Sequence, residues 1–267
     1  MARVTDSLLS GKEARMTEDK KRTRIEGVVF DIGDTLLETG SLMRSGAEYA
    51  AQKLFEGGII SNSSELPRVF LMTDEKTKFP HISHLFSHAQ IALQALEESG
   101  TLTTRFSPLV ATHAFLSYYR LKIRQEIYPR QEVLNLLESL KARRLKLGII
   151  SNGSLEDQIE VLVRLEITGY FDSILVSEEV KIEKPDKRIF KLSAAELGLS
   201  APSILFVGDD WETDIQGALD AGFQAACFGQ FKSAHLNPGF DRTGCSFLER
   251  IEDVNKLVAQ RPSPLLR

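Results

Sequence analysis

The 267-residue chain is short of cysteine, of long apolar runs and of charge of one sign, and each shortage removes a class of protein. Its two cysteines, Cys227 and Cys245, stand in no metal-type spacing, which fits a reducing, cytoplasmic setting. No apolar stretch approaches the roughly 20 residues that cross a bilayer, so no membrane partner is expected. The net charge is only -4, and the 33 Lys and Arg are scattered without a basic stripe interleaved with aromatics beyond the N-terminal tail. Nucleic acid is therefore not an expected partner. Residues 1–25 mix Lys20, Lys21, Arg22 and Arg24 with Asp6, Glu13, Glu18 and Asp19 around no apolar centre, unlike a secretory signal. The segment reads as a mobile leader; a cleaved targeting peptide fits less well, since such peptides are poor in acids. Internal repeats and low-complexity tracts are missing too.

What is present is ordinary globular composition, 42% hydrophobic and 26% charged, enough for one large domain or a domain with an insert. A short apolar run, Gly27-Val28-Val29-Phe30, stops at Asp31 and is followed by Gly33, Asp34 and Thr35, the pattern of a buried strand ending in a turn. From Pro129 onward, apolar strands alternate with amphipathic helices. Strands are expected at 145–150, 174–176, 204–207, 224–228 and 246–248, with helices at 129–140, 155–165, 187–197, 213–221 and 253–259. That alternation predicts βαβ units and a parallel sheet covered on both faces. Between Leu37 and Tyr128 the alternation gives way to four helices, near 42–55, 64–76, 82–98 and 107–124, with no strand. The expected organisation is a core of 26–37 and 128–267 with an all-helical cap of 38–127 inserted after the first strand.

Ligands of a parallel sheet collect beyond the carboxyl ends of its strands. Those ends carry Asp31, then Ser151, Asn152 and Gly153, then Gly208, Asp209 and Asp210 with Asp214 one turn later. Lys184, in Glu183-Lys184-Pro185-Asp186, precedes a further helix. Together these residues suit phosphoryl transfer. A carboxylate such as Asp31 can attack phosphorus to give an aspartyl phosphate, replacing one hard step by two easier ones. Two anions must meet, so cations are needed. Mg²⁺ prefers carboxylate and water oxygens, which Asp31, Asp209 and the Gly33 carbonyl would supply. Lys184 would balance the nucleophile and one phosphate oxygen, while the Ser151 hydroxyl and the neighbouring N–H groups at Asn152 and Gly153 would hold the others.

The segments VVFDIGDTLL, LGIISNG, EKPDKRIF and ILFVGDDWETDIQGALDAG resemble, in order, the four motifs of haloacid dehalogenase superfamily hydrolases over about residues 26–230. The resemblance implies a Rossmann-like three-layer α/β/α core with a helical cap and Mg²⁺ as cofactor. It implies Asp31 as nucleophile, Ser151 as phosphate binder, Lys184 as charge-balancing lysine and Asp209 as metal ligand. Asp214 or Asp210 would complete the acidic motif, through water or by orienting Lys184, and Asp214 counts with Asp31, Gly33 and Asp209 among the expected metal residues. One position departs from the pattern: phosphatases of this superfamily usually carry a second aspartate two residues after the nucleophile, and here Gly33 stands there. General acid catalysis contributes roughly 10² to 10⁴ in rate, so substrates with good leaving groups (anomeric sugar, acyl or aryl phosphates) are expected, or else Asp34 or a cap residue replaces the acid.

Other features read as structural. His81, His84 and His88 fall at i, i+3 and i+7 on one helical face, but without an acidic partner at ligand spacing they fit a solvated or part-buried cap face better than a metal site. Trp211 and Phe115, Tyr118 and Tyr119 fit packing. Arg44, Lys78 and His84 are cap residues that could meet a substrate. Three functions compete: a Mg²⁺-dependent phosphatase of a small phosphorylated metabolite, a metal-independent dehalogenase-type hydrolase, and a binding or regulatory protein that has lost turnover. The acidic set at 209–214 disfavours the second, because it would repel an anionic substrate if no cation were bound. The complete set of strand-end residues disfavours the third. Substrate identity and oligomeric state are not encoded in any motif.

Overall fold

Gly27–Phe30 forms strand β1, buried along its whole length, at the centre of a six-stranded parallel sheet. The computed structural model describes residues 23–76, 84–103, 105–229 and 244–259. The other strands are β2 (Lys146–Ser151), β3 (Ser173–Val176), β4 (Ile204–Gly208), β5 (Gln224–Phe228) and β6 (Cys245–Leu248), in the order β3-β2-β1-β4-β5-β6. Chain order reverses at β1, the arrangement that opens a crevice beyond the carboxyl ends of the flanking strands. Phe30 is level with Ile149 on β2 and with Val207 on β4, so Asp31, Ser151 and Asp209 emerge along one rim.

Burial on both faces explains the unbroken apolar runs. Val28 and Phe30 join Leu147, Ile149, Leu205 and Val207 in one core, whereas Val29 joins Ile150 and Phe206 in another on the opposite face. The period of two is the pleat of a strand with both sides covered. Leu136, Leu137 and Leu140 of the helix Gln131–Ala142 and Leu162 of the helix Leu155–Arg164 cover the first face. The second is covered by Ile189 and Phe190 of Lys187–Leu197 and by Ile215 and Ala218. The chain therefore has the three-layer α/β/α, Rossmann-like architecture that the alternation predicted.

The insert forms helices α1 (Thr39–Glu56), α2 (Glu65–Lys76), α3 (His84–Glu98) and α4 (Pro108–Glu126). They enclose a separate core in which Ala47, Ala50 and Ala51 let α1 lie against Phe115 and Tyr119 of α4, with Phe70 and Leu93 filling the remainder. The extended chain between the helices makes one isolated bridge, Ile60 to Leu102. Helix α1 starts at Thr39, earlier than the apolar periodicity indicates, because its first N–H groups are capped from outside the helix. Asp34 Oδ1 accepts from Thr39 N–H at 2.8 Å and Gly40 N–H at 3.4 Å. Such an external carboxylate satisfies donors that the helix itself leaves orphaned.

Thr23–Ile25, which the sequence reading placed in the leader, dock on the sheet: Ile25 is buried and Gln224 donates to the Thr23 carbonyl at 2.8 Å. The rest of the expected leader lies outside the described residues, as do His81 and Lys78. Among the described residues, no helix is long and apolar enough to cross a membrane.

Candidate active site

β1 delivers Asp31 to the rim, where it is buried and receives an ion pair from Lys184. The ammonium Nζ lies 2.5 Å from Asp31 Oδ1 and 2.6 Å from Asp214 Oδ1, so one buried cation bridges two carboxylates from different elements. A buried lysine with no partner would tend to lose its proton. Here burial pulls its pKa down, but Asp214 and Asp31 together outweigh that and push it above the usual lysine value. Asn152 holds the lysine in place by its backbone: the Lys184 N–H donates to Asn152 Oδ1 at 2.9 Å, and Asn152 Nδ2 donates to the Lys184 carbonyl at 3.0 Å. The Asn152 side chain thus clamps the lysine segment, a role beyond the backbone N–H that the sequence offers to a phosphate.

Ser151, at the end of β2, is buried with its hydroxyl donating to Gln158 Oε1 at 3.0 Å. Gly153 N–H donates to Ser177 Oγ at 3.0 Å, and the residue is not on the pocket wall. Asp31, Gly33, Asp34, Ser151, Asn152, Lys184, Asp209, Asp210 and Asp214 all line one cleft of about 290 Å³. Thr39, Gln158 and Thr213 share that wall and were not foreseen. Gln158 carried a weak signal, being one helical turn inside the helix that follows the Ser151 motif.

The acidic side of the cleft is shaped by a π-helical turn, Trp211–Gln216, where an ordinary α-helix was expected from residue 213. Asp210 is its N-cap, accepting from Thr213 N–H at 2.7 Å, and Asp210 N–H donates to Asp214 Oδ2 at 3.2 Å. The wider turn returns Asp214 under β4. A Cβ on Gly208 would lie 2.3 Å from Asp214 Oδ2, so only glycine leaves room for that carboxylate. Wide turns of this kind are rare and concentrate at functional sites.

Asp31, Asp209 and Asp214 offer carboxylate oxygens within 4.8 Å of one another. Burial raises the Asp31 pKa to about 6, with Lys184 opposing and Asp214 adding to the rise. Asp209 is pushed to about 7 by burial and then by Asp214, Asp31, Asp34 and Asp210. Carboxylates so crowded are poised for a cation, and an all-oxygen donor set fits Mg²⁺. Asp34, the candidate replacement acid, lies in the left-handed region (φ 47) with Oδ1 committed to the start of α1. At Gly33 itself, a Cβ would meet nothing nearer than Thr39 Cγ2 at 3.5 Å.

Elsewhere, His88 is buried in the cap, whereas Arg44 lines a different groove with Glu48 and Arg68. Trp211 packs in the core beside Ile215, and Phe115 and Tyr119 build the cap interior.

A doubly covered parallel sheet with a buried carboxylate, a bridging lysine and an acidic pair at one rim is the form of an α/β hydrolase core. The sequence model of the haloacid dehalogenase-like hydrolase family matches residues 28–228, and the chain belongs to that family. The family's description makes the chain a hydrolase, and its sequence relatives include phosphatases. Glyceraldehyde 3-phosphate phosphatase of Methanocaldococcus jannaschii is 26% identical over 87% of this chain and 98% of its own. Phosphoserine phosphatase of Thermus thermophilus is 33% identical over 49% of this chain and 50% of its own. Among solved structures, a haloacid dehalogenase-type hydrolase of Bacillus subtilis bound to magnesium superposes with a TM-score of 0.65 at 20% identity, covering 88% of this chain and 99% of that one.

Proposed function

We propose that the protein is a Mg²⁺-dependent phosphatase of a small phosphorylated metabolite, working through an aspartyl phosphate on Asp31. The observation that carries this reading is the Lys184 ammonium, set between Asp31 and Asp214 at 2.5 and 2.6 Å in a cleft that also presents Ser151 and Asp209. In this account Asp31, Asp209 and the Gly33 carbonyl hold the ion, with Asp214 positioning Lys184 beside them. When bound, the ion offsets the charge of the carboxylates and of the phosphate, letting two anions approach. An Asp31 oxygen attacks phosphorus, the ester oxygen departs, and water then hydrolyses the acyl phosphate to return the carboxylate. Lys184 shields Asp31 and binds a phosphate oxygen; the Ser151 hydroxyl, turning from Gln158, donates to another. The magnesium carried by the Bacillus subtilis structure and the phosphatase names of the sequence relatives support the same reading.

A metal-free dehalogenase is disfavoured by the acidic crowding around Asp209, which a bound cation relieves at neutral pH. The test is phosphate release from acetyl phosphate and p-nitrophenyl phosphate with Mg²⁺ or EDTA, for the wild type and Asp31→Asn. Release that requires both Mg²⁺ and Asp31 is expected. Release that persists in EDTA, or in the Asp31→Asn protein, contradicts the reading.

A further inference from the structure

Ser151 ends β2 on the wall of the catalytic cleft, and its hydroxyl has a single proton to give. That proton goes to Gln158 Oε1 at 3.0 Å, and while it stays there the hydroxyl cannot donate to a phosphate. Gln158 also lies on the cleft wall, one turn into the helix Leu155–Arg164. Ser154 fixes the start of that helix by accepting from Asp157 N–H at 3.2 Å. Side chains of a helix lean toward its N-terminus, which brings the Gln158 amide back over the segment 151–153.

The second observation concerns the other end of the amide. Gly153 has φ 137, a conformation that side chains rarely adopt, and a Cβ there would lie 2.9 Å from Gln158 Nε2. The amide thus fills the hollow that the missing side chain leaves. Among the described residues, nothing accepts a hydrogen bond from Nε2. An amide keeps nearly the same shape when its oxygen and nitrogen change places, so half a turn of this group gives up the bond from Ser151 and no packing. After the turn Nε2 donates to Ser151 Oγ, and the serine proton points at a phosphate oxygen. A hydroxyl donates and accepts at once, so the two bonds run in one direction, from amide to hydroxyl to phosphate, and polarise each other.

We propose that Gln158 is a positioning residue for the phosphate. In the free protein its oxygen holds the Ser151 proton; when phosphate enters, its nitrogen takes over and directs that proton to the ligand. Only hydrogen bonds change. This inference rests on the phosphatase reading and gives a part in it to a helix residue outside the strand ends.

The experiment measures kcat and KM for acetyl phosphate with Mg²⁺, and the dissociation constant of orthophosphate by calorimetry. The proteins are the wild type, Asp31→Asn, Gln158→Met, Gln158→Glu, Ser151→Ala and Ser151→Ala with Gln158→Met, each checked for cooperative thermal unfolding. Methionine keeps the length of glutamine over Gly153 but has no amide. A hydrogen bond to a charged acceptor is at stake, so Gln158→Met is expected to raise KM and the orthophosphate dissociation constant about tenfold. In the Ser151→Ala background the same substitution is expected to change both by less than about twofold, because the hydroxyl through which Gln158 acts is gone. Gln158→Glu, which can accept from Ser151 but cannot donate to it, is expected to lose at least as much as Gln158→Met. Equal losses in both backgrounds, no loss in Gln158→Met, or full activity in Gln158→Glu overturns the role of Gln158 and leaves the phosphatase standing. Absence of Asp31-dependent turnover overturns the phosphatase reading, and orthophosphate that then binds without regard to Ser151 and Gln158, or not at all, overturns this inference too.

Discussion

At the scale of single residues, the site is organised by Lys184, which pairs with two buried carboxylates. Removing one member of such a cluster leaves uncompensated charge in a low-dielectric setting, a loss of about 3–5 kcal/mol. Lys184→Met is accordingly expected to lower the denaturation midpoint sharply and to abolish turnover, which denaturant titration beside a phosphate assay would show. Lys184→Met together with Asp214→Leu should recover part of the stability and none of the activity. Gly33 gives the opposite kind of prediction. Its backbone lies outside the left-handed region and a side chain has room, so Gly33→Asp should fold and gain rate on plain alkyl phosphates, by up to about 10² or more, with little gain on acyl phosphates. A uniform change across both substrates would remove the leaving-group argument.

These residues were legible in the chain to different degrees. Asp31, Ser151 and Asp209 could be named because each sits where a strand pattern stops, and strand ends of a parallel sheet face the ligand, whereas Lys184 precedes a helix and Asp214 lies one turn beyond its strand end. Roles were harder to read than positions. Asn152 stands beside Ser151 in the motif, but its amide pairs with both backbone groups of Lys184, 32 residues away, a relation no local pattern encodes. Gly153 likewise gives its N–H to Ser177.

At the scale of elements, strand runs such as Gln224–Phe228 and the helix Lys187–Leu197 matched their sequence patterns because burial on known faces fixes their periodicity. The π turn at Trp211–Gln216 did not, since its apolar spacing is indistinguishable from a helix; the sign in the chain is Gly208, whose missing side chain makes room for Asp214. Asp210 caps this turn through Thr213 N–H, so Asp210→Asn should retain stability and most activity, while Asp210→Ala should lose about 1 kcal/mol and displace Asp214. Equal damage from both substitutions would point to a direct charge role for Asp210. The start of α1 was misplaced for a similar reason: its cap, Asp34, lies five residues before Thr39, outside the helical pattern.

For the whole molecule, cap and core are joined by the two chain crossings and by the Arg124, Glu160 and Arg164 cluster across the seam, where Arg164 also donates to the Arg124 carbonyl at 2.9 Å. The four helices of the insert were readable from the loss of strand alternation between Leu37 and Tyr128; their separate core and a cavity at the seam were not, because each is made by elements distant in sequence.

The acidic crowding has a consequence for the entire fold. Asp31 and Asp209 hold their protons up to about 6 and about 7, whereas the unfolded chain releases them near pH 4. Between those limits the native state binds more protons, so the stability of the metal-free protein falls as pH rises from about 4 to 7. Mg²⁺ should therefore raise the thermal midpoint more at pH 7.5 than at pH 5. A midpoint that rises equally at both values would show that these carboxylates do not hold the ion.

The central claim is that Asp31 carries the phosphoryl group. Rapid quenching during turnover with Mg²⁺ and acetyl phosphate, followed by borohydride reduction and peptide mass spectrometry, tests it directly, since an aspartyl phosphate is reduced to homoserine. Homoserine at residue 31, missing from EDTA-treated samples, is the predicted result. Turnover with an unreduced Asp31 throughout, or with the label on another residue, would contradict it.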